Sequence, residues 1–170
     1  MGKINIQYFD TNYGELILGS HDNHLIMADW RYRQMRNRID SRLQSKLNTT
    51  YTEKMDDILN ITRQQLNEYF TNKRKTFDIP VKFIGTEFQK TVWKALTEIP
   101  YGKTASYLEL ATNISKSQAV RAVANANGAN AMSIIIPCHR IIGNDGNLGG
   151  YAGGLQVKEK LLNLENNLFS

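Results

Sequence analysis

The chain's single thiol, Cys138, is followed directly by an imidazole in the run Pro137-Cys138-His139-Arg140. A thiol with an ordinary pKa of about 8.5 is only a few per cent thiolate at pH 7, and a neighbouring base raises the nucleophilic fraction. His139 is the candidate base. Adjacent side chains in an extended chain point apart, so a bridging water is the expected route between sulfur and ring. Without such a neighbour, a lone cysteine reads as a small apolar filler. Glu165 is the candidate carboxylate to orient His139, with a solvated helix end as its plainer alternative. One cysteine excludes an internal disulfide and leaves a thiolate zinc site short of ligands, which His21 and His24 do not supply. No metal and no cofactor is expected.

These groups need elements to hold them. Residues 133–137 read as a buried strand that ends where Pro137 removes a ladder donor, which places the thiol where strand meets loop. The glycines beyond it (143, 146, 149, 150, 153 and 154) permit close backbone approach to a planar ligand, and hairpin punctuation explains them equally well. Residues 155–165 then read as a helix with Leu155, Leu161, Leu162 and Leu164 available for burial.

Upstream, Thr86-Glu87-Phe88-Gln89 has the capping-box pattern and opens a helix that buries Phe88, Val92, Leu96 and Ile99. Pro100-Tyr101-Gly102 stops it. Tyr107, Leu110, Ala111 and Ile114 give a second, short helix, and Ser117 is placed to cap a third that runs through Val120, Val123 and Ala124 to Gly128. Two short helices around a tight turn read as a helix-turn-helix, against the alternative of a helical hairpin that never meets DNA. Ala122, Ala124, Ala126 and Gly128 make the third helix slender around Arg121, which suits a narrow groove; tight helix packing is the competing account.

The first half reads differently. Ile4, Ile6 and Tyr8 alternate, and apolar runs at 16–18 and 25–28 follow as short antiparallel strands. The run Arg31, Arg33, Arg36, Arg38, Arg42 reads as a solvated face or loop, with phosphate contact as the minority reading. Met55, Ile58, Leu59, Thr62, Leu66 and Phe70 form a helical stripe that Thr52 is placed to cap. Asn72-Lys73-Arg74-Lys75 and Pro80 put a linker within 71–85, so residues 1–80 form an α/β domain with its linker and residues 81–170 the helical domain.

At this point a resemblance enters. Ile134-Ile135-Ile136-Pro137-Cys138-His139-Arg140-Ile141 resembles the active-site signature of the O6-alkylguanine-DNA alkyltransferases. Thr104-Ala105-Ser106-Tyr107, Arg121-Ala122-Val123, Asn130, Gly150-Tyr151-Ala152-Gly153-Gly154 and Val157-Lys158-Glu159 follow the family in order, while residues 1–80 resemble only its general plan. The resemblance implies an α+β chain: a small N-terminal ribonuclease-H-like α/β domain, then a mainly helical winged helix-turn-helix domain. It implies repair by direct damage reversal, in which the helix-turn-helix enters the minor groove, the damaged base is flipped out, and the alkyl group of O6-alkylguanine passes irreversibly to the protein's own thiolate. O4-alkylthymine is a second candidate substrate.

By position, Cys138 corresponds to the nucleophile, His139 to the water-relayed base and Glu165 to its orienting carboxylate. Tyr107 corresponds to the hydroxyl that turns the phosphate during flipping and meets guanine N3, and Asn130 to the brace of the active-site turn. Arg121 resembles the finger that fills the vacated stack, with Ala122 and Asn125 on the same DNA-binding helix. The backbone of Cys138, Ile141 and Ala152 would read the guanine edge, Tyr151 and Gly153 flank that pocket, and Lys158 is a cation near it. Two departures stand out: Ala131 follows Asn130 where the family often has proline, and Ala152 replaces a serine found in some members.

Composition is compatible with this. The net charge is +5, which suits a polyanionic partner without requiring one. No apolar run is long enough to span a membrane and no secretory leader opens the chain, so a cytoplasmic monomer acting on double-stranded DNA, with no membrane partner, is the expectation. A helix-turn-helix regulator, a non-catalytic alkylated-DNA-binding protein and a cysteine hydrolase are the rival readings. The regulator wants more base-contacting side chains than residues 117–128 offer, and the non-catalytic relative would lack Cys138.

Overall fold

The structure, a computed structural model, describes residues 2–166 and divides into two compact units that meet at Gly85 and Thr86. The first is built on a meander of β1 (Ile4–Thr11), β2 (Gly14–His21) and β3 (His24–Trp30), with β4 (Tyr51–Glu53) parallel to β1, in the order β3-β2-β1-β4. Asp22 and Asn23 both take positive φ, 51° and 60°, as the tight two-residue turn between β2 and β3 requires.

Helices α1 (Arg36–Leu47) and α2 (Asp57–Phe70) cover opposite faces of this sheet. The alternation of side chains along a strand separates them. Asp29 and Met27 meet Arg36 of α1, whereas Asn5 and Ser20 hydrogen-bond Asp56, the residue whose other oxygen caps α2 at Leu59 N. Thr52 therefore lies in β4, and Asp56 takes the capping role expected of it.

The arginine run is also reassigned. Asp29 is fully buried, and Arg33 and Arg36 reach it at 3.2 and 3.1 Å, so two of the five arginines neutralise a carboxylate inside the fold. Part of the expected linker is structural as well. Pro80 O accepts from Leu25 N at 2.8 Å and Lys82 N donates to Leu25 O at 2.9 Å, which covers the outer edge of β3.

The second unit is mainly helical. Its first helix, α3 (Glu87–Leu96), opens with the full capping box of Thr86 and Gln89. A two-residue strand, β5 (Ala105–Ser106), leads into α4 (Tyr107–Asn113), which opens with a capping box of Ser106 and Glu109 whose S-x-x-E spacing stands in the sequence beside the one at Thr86. α5 (Val120–Gly128) follows a turn closed by Lys116 N on Ala111 O at 2.8 Å, with Ser115 at φ 60°. Ser117 does not cap α5; its N-cap is Ala119, with no side-chain bond. Trp93 donates to Ala126 O at 2.8 Å and ties α3 to α5. β6 (Ile141–Ile142) pairs in parallel with β5, and α6 (Leu155–Asn166) closes the described chain.

Candidate active site

The segment before the thiol is not a strand. Ile135 N donates to Ser133 O at 2.8 Å, a γ-turn centred on Ile134 at φ 73°. Cys138 N then donates to Ile136 O at 2.7 Å, an inverse γ-turn centred on Pro137 at φ −80° and ψ 63°. Positive φ in a buried β-branched residue costs on the order of 1–3 kcal/mol and persists only where its surroundings hold it. Asn130 supplies that hold: its amide donates to Ile136 O at 2.9 Å, and its oxygen accepts from Met132 N at 3.0 Å. All of residues 133–137 except Ile135 are buried, from turns rather than from a strand, a difference that apolar periodicity does not register.

Cys138, His139 and Arg140 form one turn of 3₁₀ helix, entirely buried, and Cys138 is 5% exposed. His139 Nε2 and Glu165 Oε2 lie 2.6 Å apart, with both side chains inaccessible. Glu165 is thus no solvated helix end. Burial pushes its carboxyl up, but the hydrogen bonds and charges of His139 and Arg140 outweigh that and hold it at about 2. Burial also lowers His139 below the ordinary histidine value; Glu165 works against that shift, and Arg140 and Lys158 add to it. An ionised Glu165 accepts from Nε2–H, so Nδ1 carries the lone pair. Nδ1 is buried with no hydrogen-bond partner among the described residues.

Lys158 is fully buried and spends its ammonium protons on the carbonyls of Ile141 at 2.5 Å, Gly150 at 3.2 Å, and Leu148. Burial pulls its pKa down to about 8, opposed by the charge of nearby Cys138. Its carbonyl partners lie on both sides of residues 143–147, so it fastens the glycine-rich loop to α6. Asn144 adds a second anchor by accepting from Leu108 N at 3.3 Å. Within this loop Gly143 N donates to Asn147 O at 2.7 Å around Gly146 at φ 85°, a tight turn, while Gly149, at φ 70°, leaves room for the Tyr107 hydroxyl that a Cβ would meet at 3.3 Å. Burial, and then the charge of Cys138, raise the Tyr107 pKa.

Tyr107, Cys138 and Lys158 are therefore electrostatic neighbours. Tyr151, Ala152 and Gly153 are half-buried, and the Tyr151 ring lies edge-on to His139 at 6.4 Å. Arg121, Ala122 and Asn125 share the solvent-facing side of α5, apart from the buried group. Arg140 is the residue that sequence reasoning left without a role. Its Nε and Nη2 reach the two Glu165 oxygens at 2.8 and 3.0 Å and its Nη1 reaches Ile99 O at 2.7 Å. The available signal was chemical: a guanidinium inside an apolar signature needs a carboxylate.

The second unit matches the DNA binding domain of 6-O-methylguanine DNA methyltransferase over residues 87–167, and the first matches that family's ribonuclease-like domain over residues 4–83. A constitutive methylated-DNA–protein-cysteine methyltransferase of Bacillus subtilis is 40% identical over 162 residues, 92% of each chain. One from Methanosarcina barkeri is 57% identical over 104 residues, which span 61% of this chain and 66% of that protein; the inducible protein of B. subtilis is matched over 62% of its length. Among solved structures, Mycobacterium tuberculosis OGT in complex with DNA is similar at a TM-score of 0.82 and 37% identity, over 96% of this chain and 93% of the other.

Proposed function

The chain belongs to the 6-O-methylguanine DNA methyltransferases, and on that premise we propose that it repairs DNA by direct reversal, moving the alkyl group of O6-alkylguanine onto Cys138. The observation that carries this reading is the buried pair of His139 and Glu165, an imidazole held by a carboxylate at its Nε2, directly after the buried thiol of Cys138 in the chain. The thiol proton passes through a water to His139 Nδ1. The sulfur then attacks the alkyl carbon; the S–C bond forms as the C–O6 bond breaks, and the electron pair returns to guanine, which takes up a proton.

Double-stranded DNA docks through its minor groove on the exposed side of α5, with Arg121 filling the stack left by the extruded base and Ala122 and Asn125 against the backbone. Tyr107 meets guanine N3, and the backbone of Cys138, Ile141 and Ala152 faces the base edge. The protein works as a monomer in the cytoplasm. A thioether gives water no carbonyl to attack, so the sulfur stays blocked and each molecule acts once.

Intact mass after mixing with an excess of duplex carrying O6-methylguanine tests this. One methyl group per chain, located on the Cys138 peptide and absent from Cys138→Ser, is the expected result. Repair continuing well past one equivalent would overturn it in favour of a turnover hydrolase.

A further inference from the structure

Glu165 is shared. Its Oε2 meets His139 Nε2 at 2.6 Å and Arg140 Nη2 at 3.0 Å, and its Oε1 accepts from Arg140 Nε at 2.8 Å and from Gly102 N at 3.4 Å. Arg140 is 6% exposed, and its third nitrogen is fixed on Ile99 O beside the Tyr101 ring. We propose that Arg140 is a positioning residue for alkyl transfer: by occupying the Glu165 carboxylate in a two-point clasp, it keeps His139 neutral with its proton on Nε2 and its free lone pair on Nδ1. This rests on the transfer reading above.

A histidine facing an otherwise uncompensated carboxylate is drawn toward the imidazolium form, because the opposite charge lowers the energy of that form. Here the negative charge is already balanced. A proton added to His139 would place imidazolium and guanidinium on one carboxylate, with the Lys158 ammonium of α6 as a third cation. The charged and titratable groups facing the ring are Glu165 and Lys158 from α6 and Cys138 and Arg140 from its own turn, with Tyr151 at its edge. While the thiol is protonated, the group that favours the charged ring is Glu165, and Arg140 binds both its oxygens. The bidentate fork also fixes the carboxylate plane, so that Oε2 keeps Nε2–H in place while Nδ1 receives the thiol proton.

The test is a pH titration of the His139 ring, ¹⁵N-labelled, in the full chain and in Arg140→Gln and Arg140→Lys, with circular dichroism to establish folding. Unmodified protein at pH 7 should show the neutral Nε2–H tautomer; imidazolium or the Nδ1–H tautomer there would overturn the proposal whatever the variants do. Arg140→Gln should raise the proton affinity of His139 by about tenfold or more. The acid limb of the transfer rate against pH should move up with it. Arg140→Lys keeps the charge without the fork and should shift both in the same direction by less. A folded Arg140→Gln with an unmoved His139 titration rejects the idea. If the unmodified chain took up no alkyl group, the transfer reading would fall while the ring titration would still decide the role of Arg140.

Discussion

At the scale of single residues, the site separates the group that reacts from the groups that prepare it. His139→Ala removes the proton acceptor but leaves the sulfur, so transfer should slow by about 10²–10⁴-fold. Raising the pH should restore part of the rate by supplying thiolate directly. Stopped-flow transfer rates between pH 6 and 9 check this, and a loss with no recovery at high pH would assign His139 a purely structural part. Cys138 and His139 were candidates in the sequence because the thiol is followed directly by an imidazole, and Glu165 was singled out with the help of the family resemblance. Arg140 was not, because its partner lies 25 positions away and only folding brings the two to 2.8 Å.

At the scale of elements, periodicity found helices better than turns. The stripe beginning at Phe88 and the spacings of Tyr107, Leu110 and Ala111 gave α3 and α4, since a helix repeats its contacts every three or four residues. Residues 133–137 misled because two γ-turns bury an apolar run as completely as a strand does. Asn130 holds those turns, so Asn130→Ala leaves Ile136 O and Met132 N without their partner and should cost about 1–3 kcal/mol, read from denaturant midpoints. Transfer should fall with it even where the variant is fully folded, because Cys138 follows directly on the turn. On α5, Arg121→Ala should slow repair of duplex far more than transfer from free O6-benzylguanine, which needs no base extrusion. Equal losses on the two substrates would place Arg121 in the pocket or the fold.

At the scale of the whole molecule, two buried charges set how stability follows pH. Glu165 sits at about 2 when folded, below its ordinary 4.5, so it contributes stability above that ordinary value and loses it as pH falls between the two, about 3 kcal/mol in all. Lys158 acts at the other end. Its folded value of about 8 lies below the ordinary 10.5, so the native state releases this proton first and stability should rise with pH between them. Urea titrations of Glu165→Gln and Lys158→Met beside the parent, at pH 3 to 10, would show each slope vanish in its own variant. The two-unit plan was legible, but the part played by residues 80–82 was not: they have linker composition yet complete a sheet edge, a role that backbone atoms fill without leaving a side-chain pattern.

The small exposure of Cys138 has one more consequence. Soluble electrophiles react with a thiol according to its thiolate fraction and its exposure, and Cys138 is 5% exposed, directly after a turn held by Asn130. On the proposed transfer reading, discrimination then lies in admission rather than in nucleophilic strength: the acceptor is kept from bystanders in the surrounding medium, and its single use is reserved for an electrophile that arrives already shaped to the pocket.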